Sequence, residues 1–222
     1  MNAPPLRPLR ALLLDAAGTL LHPAEPVAAV YARTAREFGG SREPPEIASR
    51  MRAAMADPSL RAGRRREPSW REFWREVVAR STGVEDPRLL TALYDHFATP
   101  AAWELAAGAQ SCCAGARARG LRVAVVSNWD TRLRPLLEAL GVMDWIDLAL
   151  ISGELGVEKP DAEIFARACA ALGVTPAEAL HVGDSRGADV EGARAAGCRA
   201  LRFGGELRSF AELSARLARE TP

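Results

Sequence analysis

Arg10-Ala11-Leu12-Leu13-Leu14-Asp15 contains an unbroken apolar run that stops on a carboxylate. A run without polar residues at every second position suits a parallel strand covered by helices on both faces. Comparable runs recur at Leu121 to Val126, ahead of Ser127-Asn128, and at Asp147 to Ile151. Two more are Ala179 to Val182, ahead of Gly183-Asp184, and Arg199 to Phe203. Between them, helical periodicity predicts helices over about 109–119, 132–140, 161–172 and 187–196. Each is stopped by a glycine (Gly120, Gly141, Gly173, Gly197), the residue that most easily takes the left-handed backbone at a helix end. This alternation predicts an α/β fold with a doubly wound parallel sheet.

The stretch 21–103 breaks the pattern. It shows amphipathic helices and no strand. Val27, Val30, Tyr31, Thr34 and Phe38 share one helical face, and Trp70, Phe73, Trp74, Val77 and Val78 share another. Ser69 and Glu72 have the spacing of a capping box. The expectation is an α/β core of residues 1–20 and 104–222 with an all-helical cap domain, 21–103, inserted after the first strand. That cap would sit over the carboxyl ends of the strands, where open α/β sheets bind ligands.

Of 222 residues, 48% are hydrophobic and 26% charged, which excludes disorder. The net charge of +1 gives no reason to expect a nucleic-acid or membrane-surface partner. No apolar run approaches the ~20 residues of a membrane span. Cys112, Cys113, Cys169 and Cys198 lack metal-type spacing and read as core residues of a reducing cytoplasm. Lys159 is the only lysine, and Asn128 the only asparagine after Asn2. A chain that nearly excludes both residue types has kept each at one interior position.

Asp15, Ser127, Lys159 and Asp184 fall at or after strand ends, so a parallel sheet brings two acids, a hydroxyl and a cation to one cleft. Asp15 is suited to nucleophilic attack on a phosphoryl group, which splits hydrolysis into two easier steps. Gly18 and Thr19 read as a turn that lets backbone N–H groups approach an anion. Ser127 and Asn128 are expected to hold phosphoryl oxygens. Lys159 would neutralise the nucleophile and transferring group, with little packing role of its own. Asp15, Asp184 and Asp189 form an all-oxygen acidic set that suits Mg²⁺. Asp189 has a second reading, as an acid favouring the start of its helix. His181 reads as a packed core residue. His22 either reaches the cleft or lies exposed at a hinge. Arg61, Arg64, Arg65 and Arg66 read as a solvated face before an anion site.

In four segments the chain resembles the haloacid dehalogenase-like superfamily, specifically its subfamily with a helical cap after the first motif. They are Leu13-Leu14-Asp15-Ala16-Ala17-Gly18-Thr19-Leu20, Val125-Val126-Ser127-Asn128, Gly156-Val157-Glu158-Lys159-Pro160-Asp161, and His181-Val182-Gly183-Asp184 through Asp189. The resemblance implies a Rossmann-like core and a Mg²⁺-dependent hydrolase passing through an aspartyl-phosphate on Asp15. It adds the backbone carbonyl of Ala17 as a metal ligand. The substrate would be a small phosphorylated metabolite.

The family's phosphatases carry a second aspartate, a general acid and base, where this chain has Ala17. Two alternatives follow: a phosphate-binding protein that has lost turnover, or a dehalogenase-like hydrolase of a small organic acid. Phosphonoacetaldehyde hydrolases require a cap lysine, and this cap has none. Cation-pumping ATPases require a membrane domain. The oligomeric state is not legible.

Overall fold

The computed structural model describes residues 8–63 and 69–220, with backbone alone for 61–63. All five predicted strands form: β1 (Ala11–Leu14), β4 (Arg122–Ser127), β5 (Leu148–Ile151), β6 (Ala179–Gly183) and β7 (Arg199–Arg202). They make one parallel sheet in the order β5-β4-β1-β6-β7, with β1 at its centre. The chain winds outward from β1 first to one side and then to the other. The carboxyl ends of β1, β4 and β6 are therefore neighbours, at the point where the strand order reverses.

Successive residues of each strand face opposite layers. Leu12, Leu14, Val123, Val125, Leu180 and Val182 pack into one apolar cluster, which also holds Cys112, Leu133 and Leu213 from the helices on that side. Ala11, Leu13, Ala124 and Val126 pack into the other, against Ile164, Phe165 and Ala168. The four cysteines are buried and free, as core residues should be.

Among the described residues, five α-helices lie between the first strand and the rest of the sheet: α1 (Val27–Arg36), α2 (Pro44–Ala56), α3 (Pro58–Gly63), α4 (Ser69–Thr82) and α5 (Pro87–His96). They carry clusters of their own, around Val30, Tyr31, Ile47 and Leu89, and around Trp70, Phe73 and Val77. The expected all-helical character needs a correction at both ends. β2 (Leu21–Pro23) pairs antiparallel with β3 (Trp103–Leu105). The chain leaves and re-enters the core side by side there, and pairing satisfies the backbone groups of both crossings. Three-residue strands are too short to leave a periodic signal.

The sheet is completed by α6 (Ala109–Ala118), α7 (Leu133–Ala139), α8 (Ser152–Leu155), α9 (Ala162–Leu172), α10 (Gly192–Ala195) and α11 (Phe210–Glu220). The fourth predicted helix differs from expectation. Arg186–Glu191 is wound as a π-helix before α10 begins. α9 starts one residue later than predicted, with the Asp161 carboxylate accepting a bond from the Glu163 N–H at 2.9 Å. No helix among the described residues is long and apolar enough to cross a membrane.

One polar cluster ties the insertion to the sheet. Asp130, fully buried just beyond β4, accepts two bonds from the Arg132 guanidinium at 2.8 and 2.7 Å and one from the Trp74 indole N–H of α4 at 2.9 Å. Arg132 also donates to the Tyr94 carbonyl of α5 at 2.8 Å, and its guanidinium lies over the Tyr94 ring. Burial would depress the guanidinium, but the Asp130 charge outweighs it and the net direction is up. Asp130→Ala leaves this cation unpaired and is expected to cost about 3–5 kcal/mol in urea unfolding, against under about 1 kcal/mol if the pair behaved as an exposed one.

Candidate active site

The loop after β1 places Asp15 beside the ends of β4 and β6. The Asp15 N–H is held by the Val182 carbonyl at 2.9 Å, which extends the β1–β6 pairing by one residue. Its Oδ1 accepts from Ser127 Oγ at 3.0 Å and from Lys159 Nζ at 2.7 Å. Two donors on one oxygen fix the plane of the carboxylate. Asp15, Ser127 and Lys159 are all buried.

Lys159 is not the lightly packed residue that its place ahead of a helix suggests. It is 2% exposed and among the largest fully buried side chains of the protein. Its ammonium bridges Asp15 Oδ1 and Asp189 Oδ1, the latter at 2.6 Å. Burial alone would lower its pKa, but the charges of Asp15 and Asp189 prevail and the net direction is up.

Asp189 sits in the π-helix and is 1% exposed. Its Oδ1 faces both Lys159 Nζ and His181 Nε2, the latter at 2.9 Å, while Oδ2 accepts the Ser185 N–H at 2.9 Å. Burial works to raise this acid, but Lys159 and His181 hold it well below the usual carboxylate range. His181 is a core residue as predicted, and it has a further role. Burial pushes its pKa down, so the ring is neutral, and the carboxylate opposite Nε2 places the proton on that nitrogen. Nδ1 has no partner.

Gly183 explains the glycine before Asp184. A Cβ there would overlap the Asp189 carboxyl group. Gly18 has φ +78°, and a Cβ on it would stand 2.6 Å from Asp184 Oδ2. Both glycines let carboxylates approach the backbone more closely than any other residue would allow.

Two expectations are corrected here. The Gly18 N–H donates to the Leu21 carbonyl and the Thr19 N–H to that of Ala16, so this turn is shaped by its own bonds. The N–H groups of Ala17 and Asn128, by contrast, enter no hydrogen bond among the described residues. Asn128 was expected to hold an anion through its backbone or its amide, and the amide is engaged elsewhere. That amide donates to the Lys159 carbonyl and accepts the Lys159 N–H, both at 2.7 Å. It clamps the lysine's backbone. The reach of Asn128 across 31 positions to the only lysine gives a physical reason for the one interior asparagine.

Asp15, Asp184 and Asp189 have ligand oxygens within 4.8 Å of one another. Three carboxylates share one ammonium, so the site is short of positive charge. Asp184 registers this: loss of hydration, then the charges of Asp15 and Asp189, hold its pKa up, although the residue as a whole is exposed. The Ala17 carbonyl accepts no hydrogen bond among the described residues. An all-oxygen donor set with surplus negative charge fits a hard divalent cation. Asp189 is part of this set, but its oxygens are already engaged.

Beside the site opens a chamber of about 360 Å³ between the insertion and the sheet. Ala17, Gly18, Asn128 and Asp184 form the side nearest Asp15. Trp74 lines it as well as packing, while His22, half-buried on β2, does not. The arginines at 61 and 64–66 lie outside the described side chains.

The model of the haloacid dehalogenase-like hydrolases matches residues 9–197. The chain belongs to that family. It is 36% identical over 207 residues to the mouse haloacid dehalogenase-like hydrolase domain-containing protein 3, covering 89% of this chain and 82% of that one. A phosphoserine phosphatase of Thermus thermophilus is 46% identical over 94 residues, 42% of this chain and 38% of its own. In fold, this hydrolase is similar to a 2-haloacid dehalogenase from Pseudomonas syringae pv. Tomato DC3000, with TM-score 0.65 at 22% identity over 95% and 99% of the two chains.

Lys159→Ala removes the partner of two buried carboxylates and is expected to cost about 3–5 kcal/mol of unfolding free energy in metal-free buffer. Lys159→Arg should recover little, since a planar fork does not fit the space of a compact ammonium. Urea midpoints matching the parent protein in both variants would contradict this account of the lysine.

Proposed function

We propose that this hydrolase is a Mg²⁺-dependent phosphohydrolase working through an aspartyl-phosphate on Asp15, with the insertion, 21–103, acting as its cap. The observation that carries this reading is the buried Asp15 facing one fixed ammonium within a cluster of three carboxylates. The distant phosphatase relative supports the same chemistry. In this reading Asp15, Asp184 and the Ala17 carbonyl hold the cation, with Asp189 contributing charge and holding Lys159. The bound cation would neutralise charge on the transferring phosphoryl group.

The protein's own groups do the rest. Ser127 and Lys159 fix the Asp15 carboxylate for attack at phosphorus. The open N–H groups of Ala17 and Asn128, with Lys159, supply the positive field that phosphoryl transfer depends on. Asn128 and Asp189 position Lys159, from its backbone and its ammonium respectively. His181 holds Asp189 without adding a charge. The substrate is a small phosphorylated molecule, and no nucleic acid or membrane partner is needed. Release of phosphate from acetyl phosphate should require Mg²⁺, stop with chelator and vanish in Asp15→Asn. Phosphate release unaffected by chelator, or retained in Asp15→Asn, would contradict this reading.

Ala17 favours the one rival of another class, a phosphate-binding protein without turnover. Its methyl is exposed on the chamber wall, so a carboxylate fits there without displacing a core residue. Ala17→Asp is expected to raise hydrolysis of alkyl phosphate esters by ~10-fold or more if part of the usual general acid–base contribution returns. No gain, with Mg²⁺ affinity unchanged by calorimetry, would show that proton transfer is not what this site lacks.

A further inference from the structure

The chamber beside Asp15 has aromatic walls with few open polar partners among the described residues. Its walls are formed largely by Tyr31, Trp70, Trp74, Leu93, Phe97 and Trp103. The polar groups among them are mostly committed. Trp74 Nε1 donates to Asp130, Trp103 Nε1 donates to the Phe97 carbonyl at 3.0 Å, and the Arg132 guanidinium is held by Asp130 and the Tyr94 carbonyl. Tyr31 is the exception. It is 4% exposed, and its hydroxyl enters no hydrogen bond among the described residues. Burial pushes that phenol up, so it stays protonated and able to donate. At about 360 Å³ the chamber is at the lower end of the usual range for small-molecule sites, ~300–1,000 Å³.

Such a chamber selects by chemistry. A sugar or amino-acid body would bring several hydroxyl or charged groups to aromatic walls with few open partners among the described residues, and each unpaired group costs about 1–3 kcal/mol. A flat apolar body loses nothing there and gains from leaving water.

The departing oxygen is restricted as well. Ala17 presents a methyl between the nucleophile's loop and the chamber. The one carboxyl among the chamber-lining residues, Asp184, belongs to the cation's donor set, and no imidazole lines the chamber. Among the described residues, no carboxylic acid outside the cation's donor set and no imidazole is placed to hand the leaving group a proton. A phenol, with pKa ~10, departs unassisted far more readily than an alcohol, whose pKa is near that of water, ~16.

We propose that the substrate is an aryl phosphate monoester, with its uncharged aromatic body in this chamber and one polar substituent facing Tyr31. The proposal rests on the phosphohydrolase reading and narrows its substrate class. An Asp15 oxygen bonds to phosphorus as the bond from phosphorus to the aryl oxygen breaks. The electron pair leaves with the phenolate, which takes its proton from water after departure. Water then bonds to phosphorus, the bond to Asp15 breaks and restores the carboxylate, and the proton passes to solvent.

The test uses three probes. With Mg²⁺ present, the non-hydrolysing variant Asp15→Asn is titrated calorimetrically with 1-naphthyl phosphate and with glycerol 3-phosphate. Binding of the naphthyl ester should be about 10-fold tighter or more. Val27→Asp, at the first position of α1 where an acid is tolerated, puts a charge in the chamber wall and should bring the two affinities together. In the parent protein kcat for the naphthyl ester should exceed that for glycerol 3-phosphate by ~10²-fold or more. Equal affinities, or equal kcat values, overturn the proposal. Acetyl phosphate has no body to fill the chamber and a leaving group that needs no proton, so it reads phosphoryl transfer alone. If it is hydrolysed while the naphthyl ester has no advantage, only the substrate class fails. If it is inert, the phosphohydrolase reading itself fails.

Discussion

An ammonium buried between two carboxylates organises this protein's site. Lys159 joins Asp15 on the loop after β1 to Asp189 on the π-helix after β6. None of the three would be stable in the interior alone, because an unpaired buried charge loses its hydration without return. Around them, Ser127 comes from the end of β4, Asn128 holds the lysine's backbone, and His181 in β6 backs Asp189. Gly183 lacks a side chain because the Asp189 carboxyl occupies that space. The order β4-β1-β6 makes this possible, since it sets three strand ends side by side.

The arrangement leaves a charge imbalance that bears on function. One ammonium against three carboxylates leaves surplus negative charge, and loss of hydration together with the charges of Asp15 and Asp189 pushes the Asp184 pKa up. The same surplus would repel a phosphate group, so metal and substrate belong together in any productive complex. Beyond the charged floor the character changes abruptly to the aromatic chamber. Under the proposed function the two halves of the cleft would serve different parts of a substrate, the strand ends the phosphoryl group and the helices of the insertion whatever is attached to it.

Much of this was legible from residue order. The five apolar runs became the five strands because a doubly covered sheet demands continuous hydrophobic stretches. Asp15, Ser127 and Lys159 do meet, since parallel strands leave no other place for their ends. The fine assignments were less visible. The side-chain amide of Asn128 holds the lysine backbone 31 residues on, while the residue's own backbone N–H stays open among the described residues. Lys159 is legible as a cleft residue but not as a packed one, because no periodicity marks the burial of a side chain that precedes a helix. The β2–β3 ribbon is too short to signal itself. The chamber has no sequence signature at all. Trp70 and Trp74 read as helix packing, and their joint use as walls depends on how α4 and α5 sit against the strand ends.

The central claim is that Asp15 accepts the phosphoryl group and that, with Ala17 in place of a proton-transferring acid, its release is the slow step for acetyl phosphate, whose leaving group needs no proton. Intact-mass spectrometry of the protein quenched in acid during turnover of acetyl phosphate with Mg²⁺, followed by peptide mapping, addresses both halves directly. The account expects a substantial fraction of the protein to carry one phosphoryl group, mapped to the peptide containing Asp15. A protein that turns over with no such adduct, or one modified at another residue, would contradict it.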